Sequence, residues 1–201
     1  QEALLDRIAE VNQNIVVVLF SGRPLDIREI DKKAKAILQV WLPGTEGARA
    51  IADTLFGKYN PSGKLPMSFP YCVGQVPVHY NEYSTGRPHV EGKDKDRFRS
   101  KYLDIPNEPL YPFGYGLSYT TFEVSDIHLD RTWMDTSGQI EAEVTVKNTG
   151  NCTGTETLQL YIHDIAASVV RPVRELKDFK KVTLRPGEEK KVVFTITEQQ
   201  L

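Results

Sequence analysis

Apolar positions change rhythm twice along this chain. At the start, Leu4, Ile8 and Val11 recur at i, i+4 and i+7, the spacing of one helical face. Asn14 punctuates, and IVVVLFSG at 15–22 follows as a continuous apolar run rich in β-branched residues. A short run of that kind, bounded by Asn and by Gly-Arg-Pro, predicts a strand buried on both faces, as in a parallel sheet covered by helices. AILQVWLPG at 36–44 predicts a second such strand, and the polar DIREIDKKAK between them predicts a connection that is helical in part. Ala48, Ile51, Ala52 and Leu55 mark another helical face, which Gly57 ends as a C′ glycine. Helix alternating with buried strand predicts part of an α/β layer sandwich over 1–70.

Periodicity then lapses. LPMSFP reads as a short extended segment, and 71–110 carries Pro77, Pro88, Pro106, Pro109 and the charged run EGKDKDRFRSK. Forty irregular residues are unusual in a compact domain, so this is a functional loop or a segment draped over a neighbour. YPFGYGLSYTTF at 111–122 packs five rings and two glycines into twelve residues. Together 71–120 reads as an irregular connecting loop with an aromatic hinge. From 121 the rhythm becomes two. Ile140, Ala142, Val144 and Val146 alternate with polar positions, as do Leu158, Leu160 and Ile162, and then Val192, Phe194 and Ile196. Turn signals in KNTGNCTG, RPGEEK and DTSG separate these runs. One buried and one wet face per strand predicts an immunoglobulin-like or fibronectin-like β-sandwich over 121–201. The sequence stops soon after a strand, so a last strand could be missing.

Composition narrows the function classes. The 201 residues are 40% hydrophobic and 26% charged, in the range of globular chains. A formal charge of −2 gives no electrostatic reason to expect nucleic acid or an anionic membrane as partner. No apolar run is long enough for a membrane helix. The opening helix lacks the basic and apolar regions of a signal peptide, and a start inside a helix without methionine suggests a fragment. Cys72 and Cys152 fall in different predicted domains and are expected to be free thiols. No Cys/His cluster has zinc spacing, and His79, His89, His128 and His163 are scattered.

Candidate chemistry is sparse. Asp26 follows a predicted strand where ligands of α/β sheets gather, yet no partner carboxylate has an obvious role beside it, and capping of the next helix is the favoured reading. Arg23 could pair with an acid, and reads more simply as a surface arginine. Thr45 is placed as an N-cap with Glu46 in the first turn, where the helix dipole favours negative charge. That arrangement and the absence of phosphate-loop patterns argue against nucleotide binding. NPSG at 60–63 is turn chemistry. No nucleophile elbow and no distinctive carboxylate pair is present.

Several stretches occurring in order carry a resemblance. These are VVVLFSGRPL, ILQVWLPGTEGARAIADTLFGKYNPSGKLPMSFP, STGRP, PLYPFGYGLSYTTF, and VKNTGNCTGTETLQLYIHD with RPVRELKDFKKVTLRPGEEKKVVFTI. Together they resemble the C-terminal part of glycoside hydrolase family 3 β-glucosidases, nearest to the bacterial periplasmic type. The resemblance implies an enzyme of three parts: a barrel, an α/β sandwich and a fibronectin-III-like domain. This chain matches the later sandwich, the connecting loop and most of the third domain. The family's catalytic aspartate lies on the barrel, and its acid/base glutamate lies upstream of Gln1, so no catalytic residue maps here. The implied enzyme is a retaining β-glucosidase acting on terminal β-D-glucosidic bonds without metal or organic cofactor. The fragment alone is expected to be inactive.

The resemblance also implies partners and a place. The barrel of the same enzyme is the expected partner, and the full enzyme would take a β-glucoside or oligosaccharide. A homodimer is compatible with it, and localisation would be periplasmic or secreted, with the cytoplasm not excluded. Within the loop, Tyr80, Asn81, Thr85 and Arg87 offer a ring, donors and acceptors suited to sugar hydroxyls. Two other readings stand beside this one. One is a non-catalytic carbohydrate-binding module using Trp133 and Tyr161 as platforms; the other is a subunit-interaction module. For the aromatic run, Tyr111, Phe113, Tyr115, Tyr119 and Phe122 are expected to be mostly buried as glue between domains rather than exposed as a sugar platform.

Overall fold

The computed structural model describes residues 1–90 and 97–201, so most of the charged run EGKDKDRFRSK lies outside the described residues. The described chain forms two compact units that interleave in sequence. The first comprises Gln1–Tyr59, Leu65–Tyr80 and Pro88–Tyr115; the second comprises Asn60–Lys64, Asn81–Arg87 and Gly116–Leu201.

The first unit is mixed α/β. It contains α1 (Glu2–Ala9), β1 (Val16–Leu19), α2 (Arg28–Lys33), β2 (Ala36–Gln39) and α3 (Gly47–Leu55). β1 and β2 pair in parallel, Val16 opposite Ala36 through Leu19 opposite Gln39. The helix-strand alternation is therefore as expected, but the burial is not. Leu5 is the buried residue of α1, while Leu4, Ile8 and Val11 are exposed. Neither strand is buried on both faces: Val16 and Ala36 are exposed and the rest only half-buried. The face of α3 read from Ala48, Ile51, Ala52 and Leu55 is largely exposed, and Gly47 and Thr54 are the buried positions. Thr45 is not the N-cap; Glu46 holds that position without a side-chain cap. The far end is as read: Gly57 adopts φ 73° and its N–H reaches Thr54 O at 3.0 Å, a left-handed cap that glycine takes without Cβ strain.

LPMSF pairs with the aromatic run inside this unit. Phe69 and Tyr111 exchange backbone bonds, Leu65 N–H donates to Tyr115 O, and Gly114 N–H donates to Leu65 O at 2.8 Å. Phe69 ends almost fully buried. The irregular loop is organised by Gln75, which is 1% exposed. Its Oε1 accepts from Tyr71 N–H at 2.6 Å, and its Nε2 donates to Pro106 O and Glu108 O at 2.8 and 3.2 Å. One buried amide thus joins two distant parts of the segment, as the rule that buried polar groups are paired requires.

The second unit is a β-sandwich. β3 (Phe122–Val124), β4 (His128–Leu129), β5 (Gln139–Asn148) and β8 (Glu189–Thr197) form one antiparallel sheet; β6 (Gly154–Ile162) and β7 (Glu175–Leu184) form the other. Ala142, Val146, Leu158, Leu160, Val192 and Phe194 fill the core, on the predicted alternation, joined by Val182 and Leu184 from β7. At one end sits Asn148, 0% exposed. Its Nδ2 donates to Cys152 O and Leu184 O at 2.9 and 3.0 Å; its Oδ1 accepts from Thr120 Oγ1 and Gly150 N–H at 2.7 and 3.0 Å. All four side-chain capacities are used, which is why an amide is tolerated there.

Two earlier segments belong to this unit. Asn60 Oδ1 accepts from Ser118 Oγ and Tyr119 N–H, and its Nδ2 donates to Thr153 O at 3.0 Å. Lys64 Nζ donates to Gly116 O at 2.8 Å and pairs with Glu156 at 2.9 Å in a mostly buried position. Asn81–Arg87 is held by a bridge between Tyr83 and Pro172 and by Val173 N–H donating to Glu82 O at 2.8 Å.

Candidate functional site

The carboxyl ends of β1 and β2 are where an open parallel sheet presents its loops to ligands. The two loops there are coupled. Gln39 Nε2 donates to Ser21 Oγ at 3.2 Å, and Ser21 Oγ donates to Arg23 O at 2.9 Å. Gln39 Oε1 is buried with no hydrogen-bond partner among the described residues. Trp41, two residues past β2, has φ 54°, a left-handed backbone that a bulky residue adopts only under tertiary constraint. Its ring lies 6.0 Å from that of Phe69, tilted by 51°.

Asp26 stands beside these loops and is engaged. Arg28 grips it with Nε at 3.0 Å and Nη2 at 2.8 Å, and the Arg28 N–H reaches it at 3.4 Å. The hydrogen bond from Arg28 holds the Asp26 carboxyl below the usual carboxylate range, against the opposing effect of burial. The same guanidinium lies 5.1 Å from the centre of the Tyr71 ring. A carboxylate clamped by two parallel N–H donors is a structural acceptor rather than a base awaiting a proton. Asp26 therefore acts neither as helix N-cap, a position Ile27 holds, nor through Arg23. Arg28 and Tyr71 carry no local sequence signal for this arrangement.

The loop candidates are distributed. Tyr80 belongs to the first unit, where its ring stacks on Phe113 with centroids 4.1 Å apart and an angle of 16°. Asn81, Thr85 and Arg87 belong to the second unit; Asn81 is half-buried, the other two exposed. The aromatic run is likewise divided. Tyr111 donates its hydroxyl to Asp31 and packs its ring 4.9 Å from Tyr115. Burial first, then the bond to Asp31, push the Tyr111 hydroxyl well above its ordinary pKa. The burial expected of most of the five rings is not reached: Tyr111, Phe113 and Phe122 are half-buried, and Tyr115 and Tyr119 are exposed. Phe113 is covered by Tyr80, Tyr111 and Tyr115 pack on each other, and Phe122 packs against the sandwich core. Cys72 and Cys152 are free thiols. Among the described residues no group of His, Cys, Asp or Glu is placed to hold a metal ion, and no helix is long and apolar enough to cross a membrane.

Comparison with known proteins identifies the set. Residues 1–119 match the glycosyl hydrolase family 3 C-terminal domain, and 156–201 match a fibronectin type III-like domain. The chain belongs to glycoside hydrolase family 3. Over 98% of its length this family 3 chain is 51% identical to a periplasmic β-glucosidase of Salmonella typhimurium, of which it covers 26%. It is 44% identical, again over 98% of its length, to a β-xylosidase of Formosa agariphila, of which it also covers 26%. A β-glucosidase from Listeria innocua, solved with laminaribiose, superposes on 99% of the chain with a TM-score of 0.93 at 46% identity, and 27% of that protein is covered. The chain thus spans about a quarter of the length of the relatives it matches.

Proposed function

We propose that this chain is the accessory C-terminal portion of a retaining β-glucosidase that hydrolyses terminal β-D-glucosidic bonds. It lacks the catalytic barrel and is inactive alone. The carrying observation is the match along almost the whole chain to β-glucosidases four times as long. The first unit supports the same reading. Two parallel strands left half-exposed, with Leu4, Ile8, Val11, Val16 and Phe20 open to solvent, are what an α/β layer leaves when neighbouring strands and helices lie elsewhere in the polypeptide. The partner is the N-terminal domains of the same enzyme, the substrate a β-glucoside or oligosaccharide, and the location the periplasm or beyond.

Tyr80, Asn81, Thr85 and Arg87 are the proposed contacts to sugar hydroxyls. A β-xylosidase among the relatives means that likeness over this region does not by itself separate glucose from xylose. The carbohydrate-binding reading is weaker, since Tyr161, one of its two proposed platforms, is half-buried with its hydroxyl donated to Gln159 Oε1 at 2.9 Å, and only Trp133 of that pair is exposed. Incubating the chain, purified to homogeneity, with an aryl β-glucoside tests the proposal. No release above the buffer rate is expected, and turnover that co-purifies with the chain overturns it.

A further inference from the structure

The connection between β6 and β7 is unusually apolar at its tip. Ile165 is 90% exposed, Val169 63% and Val170 74%, within a loop of a dozen residues. Tyr83, 61% exposed, comes from the segment bridged to this loop at Pro172. The loop is braced rather than loose: Pro172 is buried, Val173 N–H donates to Glu82 O at 2.8 Å, and Ala166 N–H donates to Asp164 Oδ1 at 3.1 Å. Asp164, Arg171 and Arg174, all exposed, flank the apolar tips in the sequence and supply charge on either side of them. An apolar centre with a polar rim, on a preorganised backbone, is the anatomy of a docking surface rather than of a solvated turn.

We propose that residues 163–173, with Tyr83, form the surface on which the N-terminal catalytic portion of the same enzyme docks. This rests on the reading that the chain is the C-terminal part of a longer β-glucosidase. That reading also selects the occupant. Three quarters of the relatives' length lies outside this chain, and a covalently linked domain is present at high effective concentration, so even a small apolar patch remains covered. The brace supplies the functional link. Asn81, Thr85 and Arg87 ride on the segment that holds this loop, so docking the loop fixes the position of the proposed sugar contacts relative to the catalytic portion.

Hydroxyl-radical footprinting of the full-length enzyme, read by mass spectrometry, tests this. Trp133 and Leu103, 74% and 94% exposed, serve as references in other parts of the chain. Intrinsic reactivity is normalised against the same peptides in the urea-unfolded enzyme. Ile165, Val169, Val170 and Tyr83 are expected to be oxidised at least about five-fold more slowly than the references, unchanged on dilution to a monomeric species followed by light scattering. Oxidation at the reference rate overturns the proposal. So does protection that disappears on dilution, which assigns the surface to a second copy. Activity of the same sample on an aryl β-glucoside is read in parallel, so an enzyme with a protected loop and no glucosidase activity would fault the functional reading and leave the docking surface standing.

Discussion

Replacing Asn148 by alanine removes the side chain that closes the end of the β-sandwich. Four partners are left behind: the carbonyls of Cys152 and Leu184, the hydroxyl of Thr120 and the N–H of Gly150. Leu184 and Thr120 are buried, while Cys152 and Gly150 are half-buried and can recover a water. An orphaned buried polar group costs about 1–3 kcal/mol. Two such groups, with a small cavity added, give an expected loss of about 3–5 kcal/mol. Urea unfolding followed by far-UV circular dichroism measures it as a drop in midpoint at constant slope for the β-rich transition. Thr120→Val, which deletes one of the four bonds, is expected to cost about 1–2 kcal/mol. The double variant should fall short of the sum, because both changes break the same Thr120–Asn148 bond. A loss below about 1 kcal/mol for Asn148→Ala, or strict additivity, would refute the assignment of Asn148 as the shared hub.

Two further perturbations follow from the same geometry. The Tyr111 hydroxyl is held above the ordinary tyrosine value of 10.0, so the unfolded chain releases that proton first. Its contribution is present below pH 10.0 and is lost as pH rises toward the folded value. Tyr111→Phe should therefore lower the urea midpoint at pH 8, and the gap to the parent chain should narrow by pH 11; a constant gap would contradict the Asp31 pairing. In Gly116→Ala the new methyl would lie 2.4 Å from the Gly63 carbonyl oxygen, a backbone atom that cannot swing aside. A loss of about 1–3 kcal/mol in the same unfolding assay is expected, and a neutral substitution would refute the close approach.

Periodic features were legible and long-range ones were not. The strands at 139–148, 154–162 and 189–197 show their alternation because one face of each packs on the core. Gly57 is legible because a left-handed cap selects glycine locally. β7 is harder to read: ELKDFKKVTL carries three lysines, and β6, its partner, has a register shift between Leu160 and Tyr161. Asn60, Gln75 and Asn148 look like turn and loop residues because their partners lie up to 93 positions away. The apolar stripes of α1 and α3 are legible as helical faces, yet Leu4, Ile8, Val11 and Leu55 are exposed in this chain. An apolar pattern records what a surface is suited to meet, and on the proposed reading the surfaces they meet belong to the rest of the enzyme. For the candidate site, residue types were visible, but the Arg28 clamp that occupies Asp26 and the Phe113 ring that covers one face of Tyr80 depend on folding.

The most direct measurement traps the covalent glycosyl-enzyme intermediate that a retaining mechanism requires. A 2-deoxy-2-fluoroglucoside with a good leaving group is incubated with the full-length enzyme and, separately, with this chain, and the adduct is located by peptide mapping. The full-length enzyme should carry one sugar on a carboxylate upstream of Gln1, and this chain should carry none. An adduct on any of the residues from Gln1 to Leu201 would contradict the account.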